Sequence, residues 1–270
     1  HCSLTLPILR LGTVCLAGAF SCRTLPAWQP YTVPSCEHYI AKTPADAGFI
    51  LGYLFDVWIG DDTIGSSDDA PNSAAALEDH CVQSLLAASR RCALFFMHGN
   101  RDFLFAAAGA RASGLCLLAD PTALSFAGQR WLLTHGDALC LDDTEYLLFR
   151  AQVRSPGWQQ AFLAKPLMER RAIAQGLRAQ SEARKRSDAT YGDVATDEAI
   201  RWLQAAGAHE MIHGHTHKPA DHDLGQGLRR RVLSDWDAAA SPVRAQVLRL
   251  SQETAGAPAQ VRRLSPDSAC

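Results

Sequence analysis

Between residues 45 and 240 short apolar runs recur, and each breaks off at a glycine beside His, Asn or Asp: FILG (49–52), ALFFMHG (93–99), RWLLTHGD (130–137) and EMIHGH (210–215). Their brevity and their punctuation by glycine predict buried strands. The stretches 73–90, 103–112, 142–153 and 194–206 lie between them and predict helices. Strands that alternate with helices, with the polar clusters at strand C-terminal ends, define an α/β domain. SFAGQRWLL (125–133) differs, because its Ala-Gly-Gln turn joins two apolar runs. That is a hairpin, so the sheet is expected to be mixed.

The stretch from Arg150 to Asp188 stands apart, with nine Lys or Arg against three acids. Trp158, Phe162, Leu163, Leu167, Met168, Ile173 and Leu177 run through it at helical spacing, and Pro156 and Pro166 divide it into separate helices. Two readings stand: a solvated basic hairpin packing its apolar stripe on the core, or a cap offering apolar surface and positive charge to an anionic amphipathic ligand. Residues 251–270 are low in hydrophobicity and are expected to form a disordered tail.

Net charge of −2 and a pI near 6.6 exclude a general electrostatic pull toward nucleic acid. No uncharged apolar stretch reaches the length of a transmembrane helix. The nine cysteines are odd in number, irregularly spaced and without a CxxC pair, so neither a disulfide framework nor a zinc knuckle is expected. Four of them (Cys2, Cys15, Cys22, Cys36) fall in the first 36 residues, which hold no Asp or Glu. The chain starts on His rather than Met, as a fragment or a processed product would. LPILRLGTVCLAGAFSC has the small residues of a secretory or lipoprotein signal ahead of Cys22, but its apolar core is short and its basic region weak.

Three clusters carry the chemistry: HGNRD (98–102), HGD (135–137) and GHTH (214–217). Asn100, His135, His215 and His217 supply carboxamide and imidazole donors, which suit Mn, Fe or Zn better than thiophilic ions. Two histidines one residue apart can face a single site where a turn breaks strand alternation. Arg101 beside Asn100 is placed to grip a phosphate with its planar fork, or else to pair with Asp102 or with Asp61 and Asp62. FILGYLFDVWIGDD (49–62) has the form of a strand that delivers a carboxylate after a glycine, yet Tyr53 follows Gly52.

These residues resemble the calcineurin-like metallophosphoesterases, whose motifs run D-x-H, G-D, G-N-[HR]-[DE], H-G-[DH] and G-H-x-H. GNRD, LFDVWIGDD, HGDALCLDD and GHTHKPA resemble more narrowly the UDP-2,3-diacylglucosamine pyrophosphatases of lipid A biosynthesis. The resemblance spans about residues 45 to 240. It implies a calcineurin-like fold of mixed sheets flanked by helices, with an inserted helical cap at about 150–190 and a domain over 45–250. It also implies two Mn²⁺ ions, held in part by Asn100, His135, His215 and His217. The reaction implied is hydrolysis of the pyrophosphate of UDP-2,3-diacylglucosamine to UMP and 2,3-diacylglucosamine 1-phosphate. Asn100, Arg101, His135 and His215 match catalytic positions, and Asn100, Arg101, Asp143, Ser181, Lys185 and His215 match substrate-binding ones. Asp188 falls near a position where the family has Lys. The place implied is the cytoplasmic face of the inner membrane, peripherally bound, with neither nucleic acid nor an evident protein as partner.

Two departures are plain. Residues 1–44 lack the D-x-H motif, and Tyr53 stands where the family has the Asp that bridges the metals. A shifted reading frame or a fused segment would produce this, as would a diverged homologue that binds one metal or none. The alternative functions are therefore a catalytically impaired homologue that only binds the UDP-lipid, or a generic metallophosphoesterase.

Overall fold

The computed structural model describes residues 13–17, 32–66, 74–186, 192–237 and 240–269, with side chains described for all of these but 13–17, 32–34, 74, 182–186 and 269. Two sheets pack face to face. The first contains β1 (Thr13–Ala17), β2 (Ala47–Leu51), β3 (Ala93–Met97) and β4 (Cys116–Leu118), all parallel. The antiparallel β10 (Val247–Ser251) and β11 (Gln260–Leu264) extend it beyond β1, in the order β11-β10-β1-β2-β3-β4. The second runs β5-β6-β7-β9-β8, from β5 (Thr122–Phe126), β6 (Gln129–Thr134), β7 (Glu210–His213), β8 (Asp221–Gly225) and β9 (Leu228–Val232).

Strand alternation sorts the apolar side chains into layers. Phe49 and Leu51 of β2, Phe95 and Met97 of β3, Trp131 and Leu133 of β6 and Ile212 of β7 meet between the sheets. The intervening Ile50, Leu94 and Phe96 face outward under α1 (Thr32–Lys42), α2 (Ala74–Ser89) and α3 (Ala107–Ser113), packing with Tyr39, Val82, Leu85 and Ala110. On the other side, Leu132 and Met211 lie beneath Ala199 and Leu203 of α7 (Thr196–Ala206). The predicted hairpin forms β5 and β6 around Ala127 and Gly128, both at positive φ (51° and 72°), as a tight two-residue hairpin turn requires.

The cap comprises α4 (Thr144–Val153), α5 (Pro156–Leu163) and α6 (Leu167–Arg186). Pro156 opens α5 after Ser155, whose hydroxyl accepts from the N–H of Trp158. The apolar stripe does pack on the core: Phe162 is buried with Phe55, Trp58 and Phe105, and Trp158, Leu167 and Ile173 lie against that cluster.

Two expectations are corrected. Residues 251–269, the described part of the expected disordered tail, are ordered. QVRRL pairs with β10, and Arg263 donates to the carbonyls of Ala220 and Val232 and pairs with Asp221, so its polar side chains are used at a sheet edge. The sheet also does not begin at residue 45, because β1 occupies its interior between β10 and β2 and α1 packs outside it. Cys36, Cys81, Cys92 and Cys140 are buried thiols. No described helix is long and apolar enough to cross a membrane.

Candidate active site

The C-terminal ends of β2, β3, β6 and β7 converge, and glycine makes the approach possible. A Cβ on Gly52 (φ 92°) would lie 2.4 Å from His135 Nδ1 and 2.8 Å from the Gly99 Cα. Tyr53 follows with φ 56°, a left-handed conformation costly for a bulky residue. Its side chain is thereby turned into the space between the three motif loops. The Tyr53 ring lies 5.1 Å from that of His135 and 4.9 Å from that of His217, and its hydroxyl lies 3.4 Å from His215 Nδ1. His215 and His217 both adopt positive φ (61° and 53°), which breaks strand alternation and brings both rings toward Tyr53.

Three histidines lie fully or nearly buried behind these loops, and only one is left with an unpartnered nitrogen. His98 Nε2 meets the Phe105 carbonyl at 2.6 Å. His213 bonds the Gly214 carbonyl through Nδ1 and Arg230 through Nε2. His135 donates Nδ1–H to the Leu51 carbonyl at 2.8 Å, which leaves its Nε2 lone pair buried with no partner. Burial pushes the His135 pKa down to about 3, so the ring is neutral at pH 7. Asn100 Oδ1 is also buried without a partner.

The acidic loop that follows β2 is already committed. Asp56 pairs with Arg178, and Asp62 pairs with Arg170, whose guanidinium also donates to the Ile59 carbonyl. Asp61 accepts from Trp58 Nε1 and from the N–H groups of Ala106 and Gly109 at the start of α3. Asp102 accepts from the N–H groups of Leu54, Phe55 and Gly99. Asp61, Asp62 and Asp102 each hold these other partners, and Arg101 lines the cleft. The cap cations are also corrected. Arg150 and Arg154 face Asp137, and Arg170 and Arg178 hold the acidic loop, so four of the cap's nine cations are engaged within the fold.

Under the cap lies a cleft of about 650 Å³. Trp58, Phe103, Trp158 and Leu177 form its apolar wall, and Asn100, Arg101, His215 and Lys218 line its floor. Asp143 and Ser181 also line it, with Asp143 capping α4 through the N–H of Tyr146. Lys185 lies on α6, but its side chain is outside those described, and Asp188 is outside the described residues. Sequence reasoning missed Asp137, Tyr146, Arg150, Arg154 and Lys218. The spacing of residues 146, 150 and 154, one face of α4, was the available signal.

A pair of metal ions bridged by a carboxylate does not fit the described residues. The unpartnered Asn100 Oδ1 and His135 Nε2 are donors of the right kind. However, no three acid, imidazole or thiolate side chains among the described residues converge to hold an ion. At the bridging position Tyr53 presents a phenol that burial drives well above its ordinary pKa, so it remains protonated. Nor does the sequence between Cys2 and Cys36 offer any Asp, Glu or His.

Two sheets packed face to face under a helical cap, with histidine and asparagine loops at the strand ends, make a two-sheet α/β enzyme scaffold with its polar cluster at one end. A predicted phosphoesterase of Streptococcus pneumoniae TIGR4 matches at a TM-score of 0.42, with 11% identity, over 96% of this chain and 92% of that one. A Vps29 D62A mutant of Entamoeba histolytica matches at 0.43, with 11% identity, over 93% and 98%. These scores are too low to bear on function. No family model matches the chain. The UDP-2,3-diacylglucosamine hydrolase of Cellvibrio japonicus is 46% identical over 192 residues, 70% of this chain and 76% of that protein. Those of Chromobacterium violaceum and Xanthomonas campestris pv. campestris are 49% and 45% identical, over 70% and 71% of this chain and 76% and 78% of theirs. The chain belongs to the UDP-2,3-diacylglucosamine hydrolase family.

Proposed function

We propose that this chain binds UDP-2,3-diacylglucosamine in the cleft under the cap and hydrolyses its pyrophosphate bond to UMP and 2,3-diacylglucosamine 1-phosphate, at a rate held down by Tyr53. The observation that carries this reading is a cleft lined by aromatic side chains together with Arg101 and Lys218. Acyl chains gain by burial against Trp58, Phe103 and Trp158. The pyrophosphate meets Arg101 and Lys218, where a planar guanidinium can take two oxygens at once. The reading of a binder that does not turn over rests on the protonated Tyr53 phenol among the three imidazoles.

Titration calorimetry with UDP-2,3-diacylglucosamine tests the substrate. Micromolar binding by the chain is expected, and Arg101→Ala should lose about 2 kcal/mol of it, the worth of a charged hydrogen bond in a desolvated site. Equal affinity for UDP-N-acetylglucosamine, which lacks the acyl chains, would sink the proposed substrate.

What supports a peripheral position on the inner membrane is Leu148 and Met168, which are 73% and 78% exposed on the cap. Sedimentation with anionic phospholipid vesicles should fall several-fold in Leu148→Glu/Met168→Glu. Unchanged sedimentation would assign these residues no part in binding a bilayer.

A further inference from the structure

Asp137 follows the His135-Gly136 pair on a short 3-10 turn, and its side chain is completely buried. One oxygen, Oδ2, accepts the Tyr146 hydroxyl at 2.6 Å and Arg150 Nε at 2.8 Å, with Arg154 Nη2 at 3.6 Å. All three donors come from successive turns of α4. Each reaches further. Arg154 Nη2 donates to the Gly99 carbonyl at 2.9 Å, one residue before Asn100. Arg150 lies 3.7 Å from Asp120, whose other oxygen accepts the Thr134 hydroxyl at 2.6 Å and the His135 N–H at 3.2 Å. The Tyr146 ring stacks on that of His215, with centroids 5.8 Å apart. One buried carboxylate therefore ties a cap helix to the ends of β3, β6 and β7 together. Burial opposes its charge, but the Arg150 and Arg154 guanidiniums beside it hold it ionised.

From this geometry we infer that Asp137 is a positioning residue, which fixes the register of α4 over the catalytic floor so that the cap wall and the floor grip one ligand together. Elsewhere the cap is tied by the packing of Phe162 on α5 and, through α6, by Arg170 and Arg178, which reach the loop after β2. On α4 the register matters directly, because its capping residue Asp143 and its Tyr146 and Phe149 all line the cleft. A shift of one end of α4 would separate the wall from Asn100 and Arg101 without unfolding either sheet.

The inference rests on the proposed substrate only for its binding readout. Tyr146→Phe removes one hydrogen bond from the hub and keeps the ring on His215, while Asp137→Asn removes the charge. Hydrogen exchange on the full chain should show faster exchange along 144–153 in both variants, with β2, β3 and α7 unchanged. Affinity for UDP-2,3-diacylglucosamine should fall about tenfold in Tyr146→Phe while affinity for UMP stays within about twofold. A merely structural loss would speed exchange throughout and weaken both ligands alike. Unchanged protection of α4 in Tyr146→Phe would overturn the inference, and that variant decides the matter if Asp137→Asn does not fold. Altered α4 protection in a chain that binds no UDP-lipid would instead uphold the hub and overturn the proposed substrate.

Discussion

Tyr53→Asp is expected to raise UMP release from UDP-2,3-diacylglucosamine, with manganese present, by at least about a hundredfold, the range associated with a single electrostatic contact in a preorganised site. Three features of position 53 combine. Its backbone is left-handed at φ 56°, a conformation that Asp tolerates better than Tyr. Its side chain reaches the rings of His135, His215 and His217, so a carboxylate there would stand among imidazole donors already aimed at the same space. The phenol now in that space is kept protonated by burial and gives a cation neither charge nor a lone pair of comparable strength. A new carboxylate would also lie near Asp137 and Asp102, which already act on Tyr53. Without a divalent ion the variant should thus melt below the parent chain, and manganese should raise its melting temperature more than the parent's. If the parent chain turns over as fast as the variant, the site is rebuilt from elsewhere and the account of Tyr53 fails. If neither turns over and manganese shifts neither melting curve, restoring this carboxylate does not suffice and the chain is a binder.

What could be read from the chain follows the range of the interactions. Phe49, Leu51, Phe95 and Met97 announce strands because alternation is local, and Gly52 and Gly99 announce close turns because the backbone needs them there. The approach of His135, His215 and His217 to Tyr53 follows from strand ends of the two sheets meeting at one end of the molecule, as the repeated motif implied. β11 was missed because QVRRL is half polar and gains its stability from Arg263, whose partners lie 31 to 43 residues earlier. The cap was misjudged for the same reason. Arg178 and Asp56 are separated by 122 residues in sequence, and no periodicity joins them. A basic helix therefore gave no sign in sequence that Arg170 and Arg178 are paired with Asp62 and Asp56. Asp137 was legible as a motif residue and illegible as a hub, because its donors on α4 belong to another element.

The same reasoning makes Asp102→Ala the costliest single change for stability, with an expected loss of about 3–5 kcal/mol. Asp102 has no exposed surface, and its two oxygens accept the N–H groups of Leu54 and Gly99 at 2.7 Å each and that of Phe55 at 3.4 Å. These donors belong to two different loops, those after β2 and β3, so the carboxylate holds together the two turns that carry Tyr53 and Asn100. Burial pushes its pKa up to about 6, and the three N–H groups keep it from rising further. Alanine would leave those donors buried without an acceptor, at about 1–3 kcal/mol for each group not rehydrated. Because a domain is stable by only about 5–15 kcal/mol, the urea midpoint should fall by a large fraction of its value. Asp102→Asn keeps one acceptor oxygen and turns an NH₂ toward the other donors, so its loss should lie between the parent chain and the alanine variant. A midpoint shift in Asp102→Ala worth less than about 1 kcal/mol would mean that water reaches these amides, and that the two loops are held by the packing of Leu54 and Phe55 instead.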